Sequence, residues 1–186
     1  MAWQENHKAQ SRIRILDAAG DLFTRKGFDK VGIDEVMQAA GMTRGAFYAH
    51  FSSKFELYEE AILRAGKQAA QHFMGADANR EEFVGAYLSK AHMAAVALRC
   101  PLPCLVSDVA HGDERVRGTY TLMLKGFIAH MSRLSAEDPE VESSPEKIIQ
   151  QVVLLIGGMA LSRSVSDEKL AAQILAACGS STKNMV

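Results

Sequence analysis

The stretch that decides the fold runs from Ile33 to Leu57 and reads IDEVMQAAGMTRGAFYAHFSSKFEL. Val36, Met37 and Ala40 fall on one face of a short helix, Ile33 to about Ala40. Gly41 follows where a left-handed residue makes the tight turn between two helices. Met42 fills the space under the turn, and Thr43 stands as N-cap of a second helix, Arg44 to about His50. Phe47 and Phe51, four apart, anchor that helix to a core. Ser52 or Ser53 caps the next helix, which Lys54 opens. The pattern is a helix-turn-helix.

The face left over has chemistry suited to duplex DNA. Arg44 offers a bidentate pair to guanine in the major groove. Gly45 and Ala46 are small enough to let a helix approach the groove. Thr43, Tyr48, His50 and Lys54 suit phosphates, which fix position without reading sequence. Each has a plainer reading: Tyr48 packing its ring, His50 capping a helix end, Lys54 simply solvated. The group, rather than any member, carries the inference.

Working outward, Ile13, Leu16, Ala19 and Phe23 recur at three- and four-residue steps, predicting a helix from His7 to Lys26 that Gly27 ends. Downstream the pattern predicts helices at Lys54–Met74 and Glu81–Leu98, and a break at CPLPC with a restart near Pro103. Further helices are expected at Asp113–Arg133, Pro145–Arg163 and Asp167–Ala177, with a loop at Ser135–Ser144 and a frayed tail over 179–186. No run alternates with period two, so the expected class is all-α.

Composition sets the bounds. The 186 residues are 48% apolar and 23% charged, the balance of an ordinary globular chain. Val152 to Leu161 is the longest nearly uncharged apolar run, too short for a membrane span, so no membrane partner is expected. The start MAWQENHKAQ is polar, and the three cysteines are neither dense nor even in number, which predicts a cytoplasmic protein. Residues 1–54 carry eight Lys/Arg and six Asp/Glu, net +2, while the other 132 residues are net −3. That is a basic head on a neutral-to-acidic body. Gly-x-Ser-x-Gly, P-loop, dinucleotide and His-Glu-x-x-His signatures are all missing, so neither an enzyme nor a cofactor or metal is expected.

The segment resembles the DNA-binding signature of the TetR/AcrR family of bacterial transcriptional regulators. The residues that carry the resemblance are Gly27-Phe28, Ile33 to Val36, Ala40 to Gly45, Phe47-Tyr48, His50-Phe51, Ser53-Lys54 and Leu57. It implies a three-helix head over 1–54 and a helical ligand-binding and dimerisation body over 55–186. It implies a regulator, most simply a repressor, that holds a pseudo-palindromic operator as a homodimer and is released by a small-molecule effector. Tyr48, His50 and Lys54 would contact phosphates, and Thr43 to Ala46 would read bases and backbone. Three residues depart from the family pattern. Val31 and Gly32 stand where Thr or Ser is usual, which predicts a poorer cap and one lost phosphate contact. Phe55 stands where an acidic residue is common.

In the body, IIQQVVLLIGGMAL (148–161) is apolar nearly all round, so it is buried on more than one side. Gly157 and Gly158 would admit a close helix, and with Lys169–Ala177 the segment would form an intersubunit bundle. Phe73, Phe83, Tyr87, Met93, Leu105, Met123 and Phe127 read as core and as candidate pocket liners, none of them assigned to a site. Cys100 and Cys104 are four apart around two prolines. Packing is the simpler role for them, and a thiol-based redox or electrophile sensor of the same fold is the alternative. A helical interaction protein that does not bind DNA is the remaining rival.

Overall fold

The computed structural model describes residues 2–73, 78–94, 100–138 and 144–183, and all regular structure among them is helical. Ten helices are described: α1 (Ala2–Lys26), α2 (Ile33–Ala39), α3 (Arg44–Phe47), α4 (Lys54–Phe73), α5 (Arg80–Tyr87), α6 (Lys90–Ala94), α7 (Pro101–Ala110), α8 (Glu114–Ala136), α9 (Pro145–Ser164) and α10 (Glu168–Lys183). They form two compact units, Met1–Gln68 with Ala97–Tyr120, and Ala69–Val96 with Thr121–Val186.

In the first unit, α1 starts at Ala2, earlier than the expected His7, and buries Ile15, Leu16, Ala19, Leu22 and Phe23. It stops at Gly27, whose φ of 79° is left-handed and whose N–H donates to the Phe23 carbonyl at 2.8 Å. A second constraint acts on Gly27 from α7. A β-carbon there would stand 2.1 Å from Oδ1 of Asp108, and the same carboxylate accepts the Phe28 N–H at 3.2 Å. α7 itself starts at Pro101, one turn position that tolerates a missing N–H, rather than at Pro103.

Phe23, Phe28, Phe55 and Tyr58 make an aromatic cluster, with Phe28 and Tyr58 edge-on at 5.0 Å and Phe28 and Phe55 at 6.4 Å. The Arg115 guanidinium, in the first turn of α8, lies 4.2 Å over the Phe55 ring. Phe55 therefore has a packing role that an acidic residue could not fill. It supplies a platform for a cation from α8.

Two expectations fail in the second unit. The continuous helix expected from Glu81 breaks after Tyr87, where Leu88 has φ −90° and ψ 25°. His92 is fully buried and its Nδ1 lies 2.6 Å from the Tyr87 carbonyl, while the Ser89 hydroxyl accepts the His92 N–H at 3.0 Å. Side chains thus take over backbone partners that a continuous helix would use, and α6 starts afresh. The expected end at Leu98, like that at Met74, lies outside the described residues. Arg163 of α9 donates to the carbonyls of His92 and Met93, closing the end of α6.

The tail is the other correction. α10 continues to Lys183, so 179–183 is helical rather than frayed; Thr182 is fully buried and its carbonyl accepts from the buried Arg80 at 2.7 Å. Tertiary contact holds residues whose own sequence is poor helix former. The Pro145 helix is capped as expected, with the Ser144 hydroxyl accepting the Lys147 N–H. Gly158 does admit a close helix, and that helix is the chain's own α10: a β-carbon would meet Cys178 Sγ at 2.7 Å.

Candidate nucleic-acid interface

The helix-turn-helix forms for the reasons its sequence implies. Val36, Met37 and Ala40 are buried, Gly41 has φ 68°, and the Met42 N–H donates to the Met37 carbonyl at 2.8 Å across the turn. Phe47 and Phe51 are buried and stacked with ring centroids 5.9 Å apart. The second helix is shorter than expected. Only Arg44–Phe47 is α-helical, and the run to His50 closes with bonds from Ala49 to Ala46 and from His50 to Phe47. Gly32 caps α2 without any side-chain bond, so the helix survives the loss of a hydroxyl there.

The interface residues then divide by what holds them. Thr43 is at the N-cap with extended backbone, but its hydroxyl makes no capping bond, and it is exposed. Arg44 is exposed and pairs with Asp34 of α2 at 2.7 Å. Such a surface pair is worth little, so a guanine or a phosphate can displace it. A β-carbon at Gly45 would meet nothing within 4 Å, so nothing inside the chain requires glycine there. Ala46 is half-buried behind it. Tyr48 is 63% exposed, its ring edge-on to Phe47 at 5.1 Å.

His50 and Lys54 are less exposed. Burial, then the nearby charges of Lys8 and Arg12, lower the His50 pKa from its ordinary value. Its Nδ1 is buried with no partner among the described residues. The Lys54 ammonium stands 4.4 Å over the Phe28 ring, and burial lowers its pKa while Asp29 opposes the shift. Ser53 caps α4 through the Glu56 N–H at 3.1 Å, and Glu56 returns to the Ser52 N–H at 2.7 Å. Lys54 is therefore held at a defined helix start.

Sequence reading missed the residues that support this face from a distance. Arg12 lies 4.7 Å over the Phe51 ring and pairs with Glu60 at 2.6 Å. Asp108 and Arg115 reach the head from residues far along the chain. The one local hint was Phe55, an aromatic ring in a place where charge is usual.

The other candidates sit elsewhere. Cys100 is buried and Cys104 half-buried, and neither forms a disulfide. The Tyr120 hydroxyl donates to the Leu102 carbonyl between them, and burial raises its pKa to about 12, the thiols adding to the shift. Phe83, Tyr87 and Phe127 form an aromatic cluster in the second unit, with Phe83 and Tyr87 fully buried, whereas Leu105 belongs to the first unit. The Phe73 side chain lies outside what is described. A cavity of about 290 Å³ in the second unit is lined by other residues, among them Val84, Leu88, Lys90 and Leu175. Among the described residues no His, Cys, Asp and Glu group is placed to hold a metal, and no helix is long and apolar enough to cross a membrane.

Residues 15–61 match the family model described as bacterial regulatory proteins, tetR family. The chain is 37% identical over 81 residues to an HTH-type transcriptional repressor, Rv1474c, of Mycobacterium tuberculosis, a match covering 44% of this chain and 41% of that protein. It is 43% identical over 61 residues to the HTH-type transcriptional regulator AcrR of Shigella flexneri, covering 32% and 28%. The matched part thus spans less than half the length of either relative. The crystal structure of a TetR family transcriptional regulator from Cytophaga hutchinsonii superposes with a TM-score of 0.78 over 96% of both chains, at 14% identity, a likeness of fold.

Proposed function

The chain belongs to the tetR family of bacterial regulatory proteins, and on that premise we propose that it is a cytoplasmic, DNA-binding transcriptional regulator, a repressor that holds a pseudo-palindromic operator as a homodimer. Residues 1–54 hold the DNA contacts in this reading, and residues 55–186 the effector and the dimer partner. The observation that carries it is the exposed face of Thr43, Arg44, Gly45 and Tyr48, backed by the buried Phe47 and Phe51. Arg44 reads a base, Thr43, Gly45 and Ala46 meet the groove wall, and Tyr48, His50 and Lys54 hold phosphates. His50 acts there as an N–H donor and Lys54 through its ammonium.

Three apolar side chains of α9 support the dimer: Ile149, Val153 and Leu161 are 51%, 62% and 59% exposed. Leu170 of α10 is exposed as well. Such an exposed apolar face suits a second copy. Release of DNA follows if the effector binds the two states of the body unequally. Asp108 of α7 supplies a route, because its carboxylate holds the Phe28 N–H at the end of α1.

Selection of bound duplexes from a random pool tests the whole reading. Recovery of a symmetric site with two half-sites is the expected result. Recovery of no sequence, together with binding that does not weaken as salt rises, rejects it.

A further inference from the structure

We propose that the seam between α5 and α10 is a binding site for a small amphiphile, an apolar body carrying one carboxylate. The inference goes beyond the regulator reading and does not depend on DNA binding. It starts from the cavity of about 290 Å³ in the second unit, with Val84, Gly85 and Leu88 of the α5 segment on one side and Leu175, Ala176 and Gly179 of α10 on the other. Phe83, Tyr87 and Phe127 do not line it, so it is distinct from their ring cluster. Gly85, Lys90 and Ala176 are exposed and open it to solvent.

The seam is wide because side chains are missing from it. Leu88 reaches toward α9, where a β-carbon on Gly158 would stand 3.5 Å from its Cδ2. A β-carbon at Gly85 would meet nothing within 4 Å, and one at Gly179 would meet only Leu88, at an ordinary 3.8 Å. Neither glycine has a positive φ. Glycine inside a helix costs stability relative to alanine, and here neither packing nor backbone conformation asks for it. What the pair does is leave room. Mainly apolar walls around such a volume match the small end of ligand clefts, roughly 300–1,000 Å³.

Charge selects the ligand. Lys90 is the one charged residue lining the cavity, and no ion pair engages it among the described residues. A second cation lies one turn further along the same seam. Arg80, 5% exposed, precedes Val84 by four residues, and its Nη2 donates at 2.7 Å to the carbonyl of Thr182, three residues beyond Gly179. Its Nε has no partner among the described residues, and no carboxylate there neutralises it. A cleft flanked by cations and lined by no acid favours an anion. The apolar body of the ligand lies against Val84, Leu88 and Leu175. Its carboxylate accepts from the Lys90 ammonium at the exposed rim, a charge-assisted bond, while Arg80 acts at longer range.

The test titrates decanoate, with 1-decanol as the uncharged control, into the full chain by calorimetry without DNA. One decanoate per chain is expected, bound about threefold more tightly than the more apolar alcohol. Lys90→Ala, at an exposed position, is expected to erase that preference. Gly85→Leu is expected to fill the seam and abolish binding, with wild-type helicity and a thermal midpoint no lower than that of the wild type. Binding of decanol as tight as that of decanoate, a preference that survives Lys90→Ala, or wild-type binding by Gly85→Leu each overturns the site. No decanoate binding, together with a changed molar mass in Gly85→Leu, assigns the seam to a second copy and rejects the proposal. A chain that binds decanoate as described but no duplex upholds this site and rejects the regulator reading alone.

Discussion

Two helical hairpins in this chain, α2–α3 and α9–α10, use apolar residues in opposite ways. In α2–α3 the large apolar side chains Val36, Met37 and Phe47 all turn inward, and what remains outside is Arg44, Gly45 and Tyr48. In α9–α10 Val152, Leu155, Ile156 and Met159 turn inward, and Ile149, Val153 and Leu161 remain outside. The first hairpin is short, so its few apolar positions are used up by its own core and its outer face is left for polar chemistry. The second leaves part of its apolar surface exposed. Chemistry therefore reads off the first from residue types alone, whereas in the second the same residue types are found both buried and exposed.

The largest effect separates those two uses. Leu155 is fully buried, so Leu155→Asp should lose about 4 kcal/mol or more and unfold the chain. Val153→Asp, two residues away but exposed, should keep wild-type helicity and give monomers by light scattering. A folded, monomeric Leu155→Asp variant would break the comparison.

Two histidines extend it. His50 is half-buried at the surface of one hairpin, whereas His92 is fully buried and burial lowers its pKa to about 4. A depressed folded pKa means that the unfolded chain takes up the proton first. His92 thus contributes stability above about pH 6.5 that is lost as pH falls toward 4. The loss should reach about 3 kcal/mol in urea titrations, and His92→Phe should flatten that part of the pH profile. An unaltered profile in His92→Phe would assign the acid sensitivity to carboxylates.

Gly27→Ala comes next, at about 2 kcal/mol. It forces a β-carbon onto a left-handed residue and against Asp108, which must release the Phe28 N–H. A double-mutant cycle with Asp108→Ala should show part of that loss recovered. On the DNA side, Arg44→Ala should relax specificity at one base position by about 1–3 kcal/mol. Lys54→Ala should weaken all sequences alike and flatten the salt slope. Uniform weakening by Arg44→Ala would reduce that residue to a positioning contact.

The smallest effect is a gain. Gln151 is fully buried on α9 and neither end of its amide has a partner among the described residues. Gln151→Met fills the same space without an unpaired polar group and should raise stability by about 1 kcal/mol. A fall in the urea midpoint would show that the amide is partnered in solution.

Much of the head was legible because its determinants are local. Gly27 and Gly41 take the left-handed conformations that their places between helices demand, and Phe47 and Phe51 reach one core because four residues make about one turn. The proposed DNA contacts sit within a dozen positions of one another, so their spacing alone gathers them. The sequence by itself therefore determined the helical class, the turn, and which side chains of α3 are left over.

The tertiary structure decided what depends on partners distant in the chain. Glu81 to Leu98 reads as one helix, yet it is cut after Tyr87 because the buried His92 ring and the Ser89 hydroxyl take backbone partners, an arrangement that Arg163 completes from 71 residues away. Residues 179–183 read as a tail, yet they are helical because Thr182 is buried and Arg80 bonds its carbonyl. Phe55 reads as an anomaly until Arg115 arrives to cover it. In each case local propensity differs by a few tenths of a kcal/mol per residue, whereas one buried contact is worth about 1 kcal/mol or more, so the contact decides.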